Sequence, residues 1–418
     1  MVNLDEIFDR FHSPKKPIFK DRDVLRSTYV PESLPHRESE IRSLANILGP
    51  IVGGGTPSNA FLYGKPGGGK TVVTKYVINH LHSRAQEFEI NFIYAFINCQ
   101  MIDTAYRVYS ALCDTLGIED VPPTGLSTDK IFEIFCENLD KKKVILTIVL
   151  DEIDLLMKKD TKTLYSLTRM NTDLKNARVS LIGITNNINF KETVDPRIKS
   201  TLTEQEIVFP PYTAAQLKEI LAERAKLGFE ENVVETPAIE RAAALAASEH
   251  GDARRALDLL RVAGEVAETE QDGKVIVDHV NKASQVIETD TVAEVLITLP
   301  IHSKGVLLGI TILEMEKLIN QKKKKKNVND VVTTGDVYSE YSKICNNLHL
   351  EPLTQRRVGD LINELDTLGM IRTSVVSKGR YGRTRVIALA VQALEIHRAM
   401  QKDPRLEEML PPIEEWML

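Results

Sequence analysis

The sequence predicts a multidomain α/β protein: an open parallel-sheet domain, a helical domain and a C-terminal winged helix. Three observations predict this. Apolar runs at Ala60–Tyr63, Phe92–Ile97, Val144–Leu150, Val179–Ile184 and Ile207–Phe209 alternate with helical stretches in the first half, the pattern of parallel strands buried on both faces. After Pro210-Pro211 the chain over 213–285 becomes Ala-rich and helix-forming throughout. Near the C-terminus an amphipathic helix leads into two short strands around a basic, glycine-punctuated turn. At about 150 residues per domain, the 418 residues fit two to four domains.

Residues 1 to about 35 read as an irregular leader, with prolines clustered near Tyr29–His36. Ala60–Tyr63 ends in Gly64, and a helix is expected over Thr71–Leu81. The boundaries follow as 1–210 for the leader and sheet domain, 211–290 for the helical domain, 291–395 for the winged helix and 396–418 for a tail.

The hydrophobic fraction of 43% can fill real cores. No apolar run approaches the roughly 20 residues of a membrane span, and MVNLDEIFDRF has no apolar signal region. Cys99, Cys113, Cys136 and Cys345 stand far apart in apolar contexts, which predicts reduced, buried thiols and a cytoplasmic protein. The net charge is −6, yet Ile301–Glu395 holds 15 Lys+Arg against 10 Asp+Glu. A basic segment on an acidic chain predicts one localised polyanion-binding face. The run Lys322–Lys326 adds to this charge, although such runs are usually solvated loops.

GKPGGGKT, from Gly64 to Thr71, fits the phosphate-loop pattern G-x-x-x-x-G-K-[ST]. Gly64, Pro66, Gly67, Gly68 and Gly69 let the backbone turn its N–H groups toward phosphate oxygens. Lys70 reaches the β- and γ-phosphates of ATP or ADP, and the Thr71 hydroxyl suits Mg²⁺. Asp151-Glu152-Ile153-Asp154 follows VILTIVL. Asp151 is expected to hold the metal and Glu152 to activate the attacking water. Asn186, after VSLIGIT, can hold that water. Arg254 and Arg197 are candidates to neutralise phosphate charge, in cis or in trans.

Thr354 is the expected N-cap of a helix whose Val358, Leu361, Ile362, Leu365 and Leu368 share one face. Arg356 and Arg357 lie off that face, and Gly369 ends the helix. Strands Ile371–Ser377 and Thr384–Ala388 flank a turn carrying Lys378, Arg380 and Arg383. Such a helix enters the major groove of duplex DNA, and a basic wing reaches phosphates. The plainer alternative is a protein-docking module.

The order of these motifs resembles an AAA+ ATPase and, more specifically, the archaeal DNA replication initiators. These are relatives of the eukaryotic origin recognition complex and its cell-division-control partner. The resemblance runs from about Phe8 to Leu389 and includes Tyr29–Glu38, Val121–Ser127, Phe209–Tyr212 and GDARRALDLLR. It implies an adenine pocket at Val30 and Arg37, lid contacts from Tyr212 and Arg224, sensors at Asn186 and Arg254, and a trans-acting finger at Arg197. Lys199 is the alternative finger. It further implies origin-DNA contact by the winged helix and by Thr124 and Gly125. The implied partners are the replicative helicase of the minichromosome maintenance type and paralogous initiators. Gly68 departs from the family's frequent threonine. A branch-migration motor and a signalling NTPase remain alternatives.

Overall fold

The computed structural model describes residues 17–118, 122, 125–187, 205–322, 331–377, 383–401, 403–407 and 410. The chain forms two compact units, Met1–Val280 and Asn281–Leu418.

The first unit holds a five-stranded sheet of β1 (Ala60–Gly64), β2 (Phe92–Asn98), β3 (Ile145–Asp151), β4 (Arg178–Thr185) and β5 (Gln205–Phe209). The order is β2-β3-β4-β1-β5, and every pairing is parallel. Side chains alternate between two cores because successive strand residues face opposite ways. Phe61, Leu146, Ile148 and Leu150 join one core, while Leu62, Ile145, Val149 and Ile182 join the other. Helix α1 (Glu38–Leu48) and α2 (Lys70–Glu87) cover the second face. On the first face lie α3 (Ala105–Thr115), α4 (Thr128–Lys142), α5 (Ile153–Lys159) and α6 (Thr161–Arg169). As the sequence predicts, this is a doubly covered α/β domain.

The lid comprises α7 (Ala214–Gly228), α8 (Thr236–Glu249), α9 (Ala253–Thr269) and the start of α10 (Val277–Thr298). A capping box between Thr213 and Gln216 starts α7, and the Asp252 carboxylate caps α9. The leader departs from expectation. Its described stretch from Ile18 to Leu25 packs on the lid, while Leu34 packs against the sheet core. Phe19 bridges and stacks on Phe229 with ring centroids 4.8 Å apart, and Arg22 pairs with Glu268 at 2.5 Å. The physical cause is two missing side chains. A Cβ on Gly264 would lie 2.4 Å from the Phe19 ring, and one on Gly228 would lie 2.9 Å from Leu25.

The second unit packs α11 (Ile301–Lys322), α12 (Thr334–Asn347) and α13 (Gln355–Thr367) against a small antiparallel sheet. That sheet is ordered β6 (Val332–Thr333), β8 (Arg383–Leu389), β7 (Ile371–Ser377). Thr354 caps α13, and Gly369 has φ 74° just past its end, both as expected. Leu368 departs from expectation: it is 42% exposed because α13 ends before its face returns to the core. The two compact units divide at Val280/Asn281, inside α10. The expected tail from 396 is partly core: α14 (Ala393–Met400) buries Ile396, Ala399 and Met400, and Leu406 is buried in α15 (Pro404–Glu407). Cys99, Cys113 and Cys345 are buried free thiols, whereas Cys136 is half-buried. Among the described residues no helix is long and apolar enough to cross a membrane.

Fully buried Tyr341 organises the approach to α13. Its hydroxyl lies 2.8 Å from His302 Nδ1 and accepts the Leu353 N–H at 3.2 Å. Tyr341→Phe is expected to cost about 1 kcal/mol locally. Hydrogen exchange at the Leu353 amide then accelerates roughly fivefold, while amides of α2 keep their protection.

Candidate functional site

The strand order assembles the site. β4 lies between β1 and β3, so their carboxyl ends open on one crevice, where open α/β sheets bind ligands. Tyr63 is registered with Thr185, and Asp151 with Ile184. This brings the loop after Gly64, the carboxylates after Leu150 and Asn186 together. A cleft of about 720 Å³ lies between sheet domain and lid. Its walls include Val30, Gly67, Gly69, Lys70, Thr71, Asp151, Glu152, Asn186, Tyr212, Arg224 and Arg254.

The phosphate loop needs its glycines at definite places. Gly67 has φ 67°, and a Cβ there would lie 1.7 Å from Asp252 Oδ1. Gly69, φ 92°, is the left-handed N-cap of α2. Gly64 approaches β5 so closely that a Cβ would lie 2.3 Å from the Phe209 carbonyl oxygen. Gly68 has no left-handed requirement.

Lys70 is buried, and its ammonium donates to the carbonyls of Gly64 and Lys65 at 2.8 Å each. Burial pulls its pKa down to about 8, against the opposing influence of Asp151. Thr71 Oγ1 donates to Asp151 Oδ2 at 2.9 Å. This hydroxyl–carboxylate pair is a hard-oxygen donor set that fits a small divalent cation such as Mg²⁺. Glu152 stands beside it in a left-handed conformation, φ 56°. Desolvation first, then Asp151 and Asp154, raise the Glu152 pKa, the direction wanted in a proton acceptor. Asn186 and Arg254 are both exposed on the cleft wall.

Three supports were not legible as such in the sequence. Asp154 accepts the Thr185 hydroxyl at 2.6 Å, and Thr185 Oγ1 accepts the Asn187 N–H at 3.1 Å, which fixes the turn holding Asn186. The Cys99 N–H donates to the Asp151 carbonyl at 2.8 Å. Gly251-Asp252-Ala253 wedges the lid against the phosphate loop: Ala253 N–H donates to the Gly67 carbonyl at 3.3 Å. The Asn186-Asn187 pair and the GD step before α9 are the signals that could have pointed there.

Arg37, expected in the adenine pocket, is 2% exposed and does not line the cleft. It lies behind the loop, because its donors are taken up by backbone carbonyls. Arg224 lines the cleft, donates to the Val24 carbonyl at 3.1 Å and sits 4.6 Å from the Tyr29 ring centroid. In the second unit Arg356 and Arg357 are exposed on the first turn of α13, with Arg357 paired to Asp360 at 3.6 Å. Gly125 is exposed, and Arg383 begins β8. Arg197, Lys199, Thr124, Lys378 and Arg380 lie outside the described residues.

A second cluster, Glu270, Asp272 and His279, has the residue types of a metal site. Its hydrogen bonds oppose that use. Ile276 N–H donates to His279 Nδ1 at 3.2 Å, leaving Nε2 as the protonated nitrogen toward Asp272 at 3.1 Å.

Fold and site together define an AAA+ nucleotide-binding protein with a helical lid and a C-terminal winged helix. The AAA domain profile matches residues 54–189, the Cdc6 AAA+ ATPase-type lid profile residues 218–285, and the CDC6 C-terminal winged-helix profile residues 294–399. ORC1-type DNA replication protein 1 of Archaeoglobus fulgidus is 47% identical over 403 residues, covering 96% of this chain and 95% of its own length. The ORC1-type DNA replication protein of Thermococcus onnurineus is 48% identical over 411 residues, with 97% and 96% covered. The Aeropyrum pernix ORC1 protein, solved in complex with DNA, matches with TM-score 0.79 and 44% identity over 94% of this chain and 99% of that one. The chain belongs to the archaeal ORC1/Cdc6-type family of DNA replication initiators.

The depressed Lys70 pKa is expected to make affinity for a polyphosphate ligand pH-dependent. Below about pH 8 the side chain is already charged before ligand arrives. Above it, binding polyphosphate must take up a proton, because the anion raises the Lys70 pKa. Affinity for ADP is therefore expected to fall, by up to roughly tenfold per pH unit, as pH rises above about 8. Calorimetric titration at pH 8.5 in buffers of different ionisation enthalpy would show the proton uptake.

Proposed function

We propose that this chain is an ATP-dependent initiator that binds origin DNA, hydrolyses ATP slowly as a switch, and helps to recruit the replicative helicase. The observation that carries the reading is convergence. The phosphate loop, the Asp151–Glu152 pair, Asn186 and lid Arg254 meet at one cleft, in a chain whose second unit is a winged helix.

In this reading the loop N–H groups and Lys70 bind the phosphates, and Thr71 and Asp151 hold Mg²⁺. The metal supplies charge neutralisation on the phosphoryl oxygens. Glu152 takes a proton from the attacking water, which Asn186 orients. Arg254 contacts the phosphates from the lid, and Val30, Tyr212 and Arg224 enclose the rest of the nucleotide. Arg197 acts in trans when protomers assemble, including with paralogous initiators. The lid position set by nucleotide then biases how the winged helix meets DNA.

The A. pernix relative's complex with DNA supports DNA as the polyanion. In this reading Arg356 and Arg357, exposed on the first turn of α13, contact the major groove, and Lys378, Arg380 and Arg383 contact phosphates. Thr124 and Gly125 supply a second DNA contact from the first unit.

Glu152→Gln should retain ATP binding and lower turnover by roughly a hundredfold or more; single-turnover hydrolysis beside equilibrium binding separates the two. Arg380→Ala with Arg383→Ala should flatten the slope of log affinity for duplex DNA against log salt by roughly two. Footprinting on genomic fragments, with and without ATP, locates the origin and tests the switch. Protection unchanged by nucleotide would remove it.

A further inference from the structure

A buried, fully engaged cation, Arg37, stands behind the phosphate loop, outside the cleft. Arg37 is 2% exposed. Its Nε donates to the Gly68 carbonyl at 2.9 Å, one terminal nitrogen donates to the Pro210 carbonyl at 2.6 Å, and the other reaches Glu40 Oε1 at 3.1 Å. The guanidinium lies 3.9 Å from the centroid of the Tyr212 ring, a wall of the cleft. Glu40, 7% exposed, balances the charge where an unpaired guanidinium would be costly. His36, with φ 64°, makes the turn that delivers Arg37 inward, a strained conformation held only where the surroundings dictate it.

The consequence follows from peptide geometry. In a trans peptide the carbonyl of one residue and the N–H of the next point in opposite directions. Drawing the Gly68 carbonyl back onto Arg37 therefore turns the Gly69 N–H forward, toward the cleft that Gly69 lines. A neutral or shorter side chain at 37 would leave that peptide free to flip, and a flipped peptide presents a carbonyl to the phosphates. We propose that Arg37 is a positioning residue: by holding the Gly68 carbonyl from behind, it aims the Gly69 N–H at the phosphates of the bound nucleotide. Its second hold, on Pro210, ties the same loop to the end of β5 where the chain turns into the lid. A bidentate, stacked guanidinium suits this double task in a way that an ammonium does not.

The inference rests on the nucleotide reading of the cleft, and the test separates the two. ADP and AMP affinities are measured for the full chain as wild type, Arg37→Met, Arg37→Lys and Lys70→Ala. Arg37→Met keeps the apolar stem and removes the donors. It is expected to weaken ADP by roughly tenfold to a hundredfold, the range of a lost charge-assisted hydrogen bond, and AMP by less than about threefold. Arg37→Lys, which can still donate to the Gly68 carbonyl, should recover most of the ADP affinity. Unchanged ADP binding in Arg37→Met overturns the proposal. So does an equal loss of ADP and AMP, which would mean that Arg37 only supports the fold. ADP affinity left unchanged by Lys70→Ala would sink the nucleotide reading of the cleft itself, whatever Arg37 does.

Discussion

A loop that turns its N–H groups toward an anion must turn its carbonyls toward the protein, and every buried carbonyl needs a donor. That constraint organises the first unit. Lys70 serves the carbonyls of Gly64 and Lys65, Ala253 N–H serves Gly67, Arg37 serves Gly68, and Val73 N–H serves Gly69. The donors come from the loop's own helix, the lid and the segment before α1. The phosphate loop is thus held from three directions by the protein's own donors, which is what pre-organised binding of a multiply charged group requires.

What the sequence made legible follows the same division. The strands, α2 and the loop chemistry are local: apolar runs bounded by turns, and glycines at fixed spacing before Lys70. The carboxylates Asp151 and Glu152 could be placed because a buried strand delivers them directly. Arg37 could not be placed, since its partners Gly68 and Pro210 lie 31 and 173 residues away and nothing local says whether a side chain faces the cleft or the back of the loop. The leader's attachment to the lid was hidden for a similar reason. Gly228 and Gly264 are grooves only when Phe19 and Leu25 are seen to fill them. Leu368 fits the helical period, yet stays exposed because periodicity does not say where the neighbouring core ends. Conversely, ALEIHRAM carried a readable apolar stripe, and the burial of Ile396, Ala399 and Met400 shows that it should have extended the second unit past residue 395.

The electrostatics of the cleft are poised rather than balanced. Asp151 and Asp154 raise the Glu152 pKa, while Lys70 and Arg254 lower it. The same surroundings act on Lys70 in reverse, with burial outweighing Asp151. A bound polyphosphate would raise the Lys70 pKa and a bound cation would lower that of Glu152, each opposing the shift the protein imposes, as expected of a site built to receive charge.

The Gly67–Ala253 hydrogen bond is the narrowest link between loop and lid. Asp252 occupies the space a side chain at 67 would need, and Gly251, φ 70°, packs so closely that a Cβ would meet the Tyr212 carbonyl oxygen at 2.5 Å. The contact has little slack. A Gly67 peptide that reorients around phosphate must either keep its carbonyl on Ala253 or release the amino end of α9, which carries Arg254. Coupling requires an element with two discrete arrangements, and the Gly67–Ala253 contact is a point where loop and lid meet. Under the proposed reading, the switch would begin at the loop itself, with the lid arginine arriving or departing as a consequence.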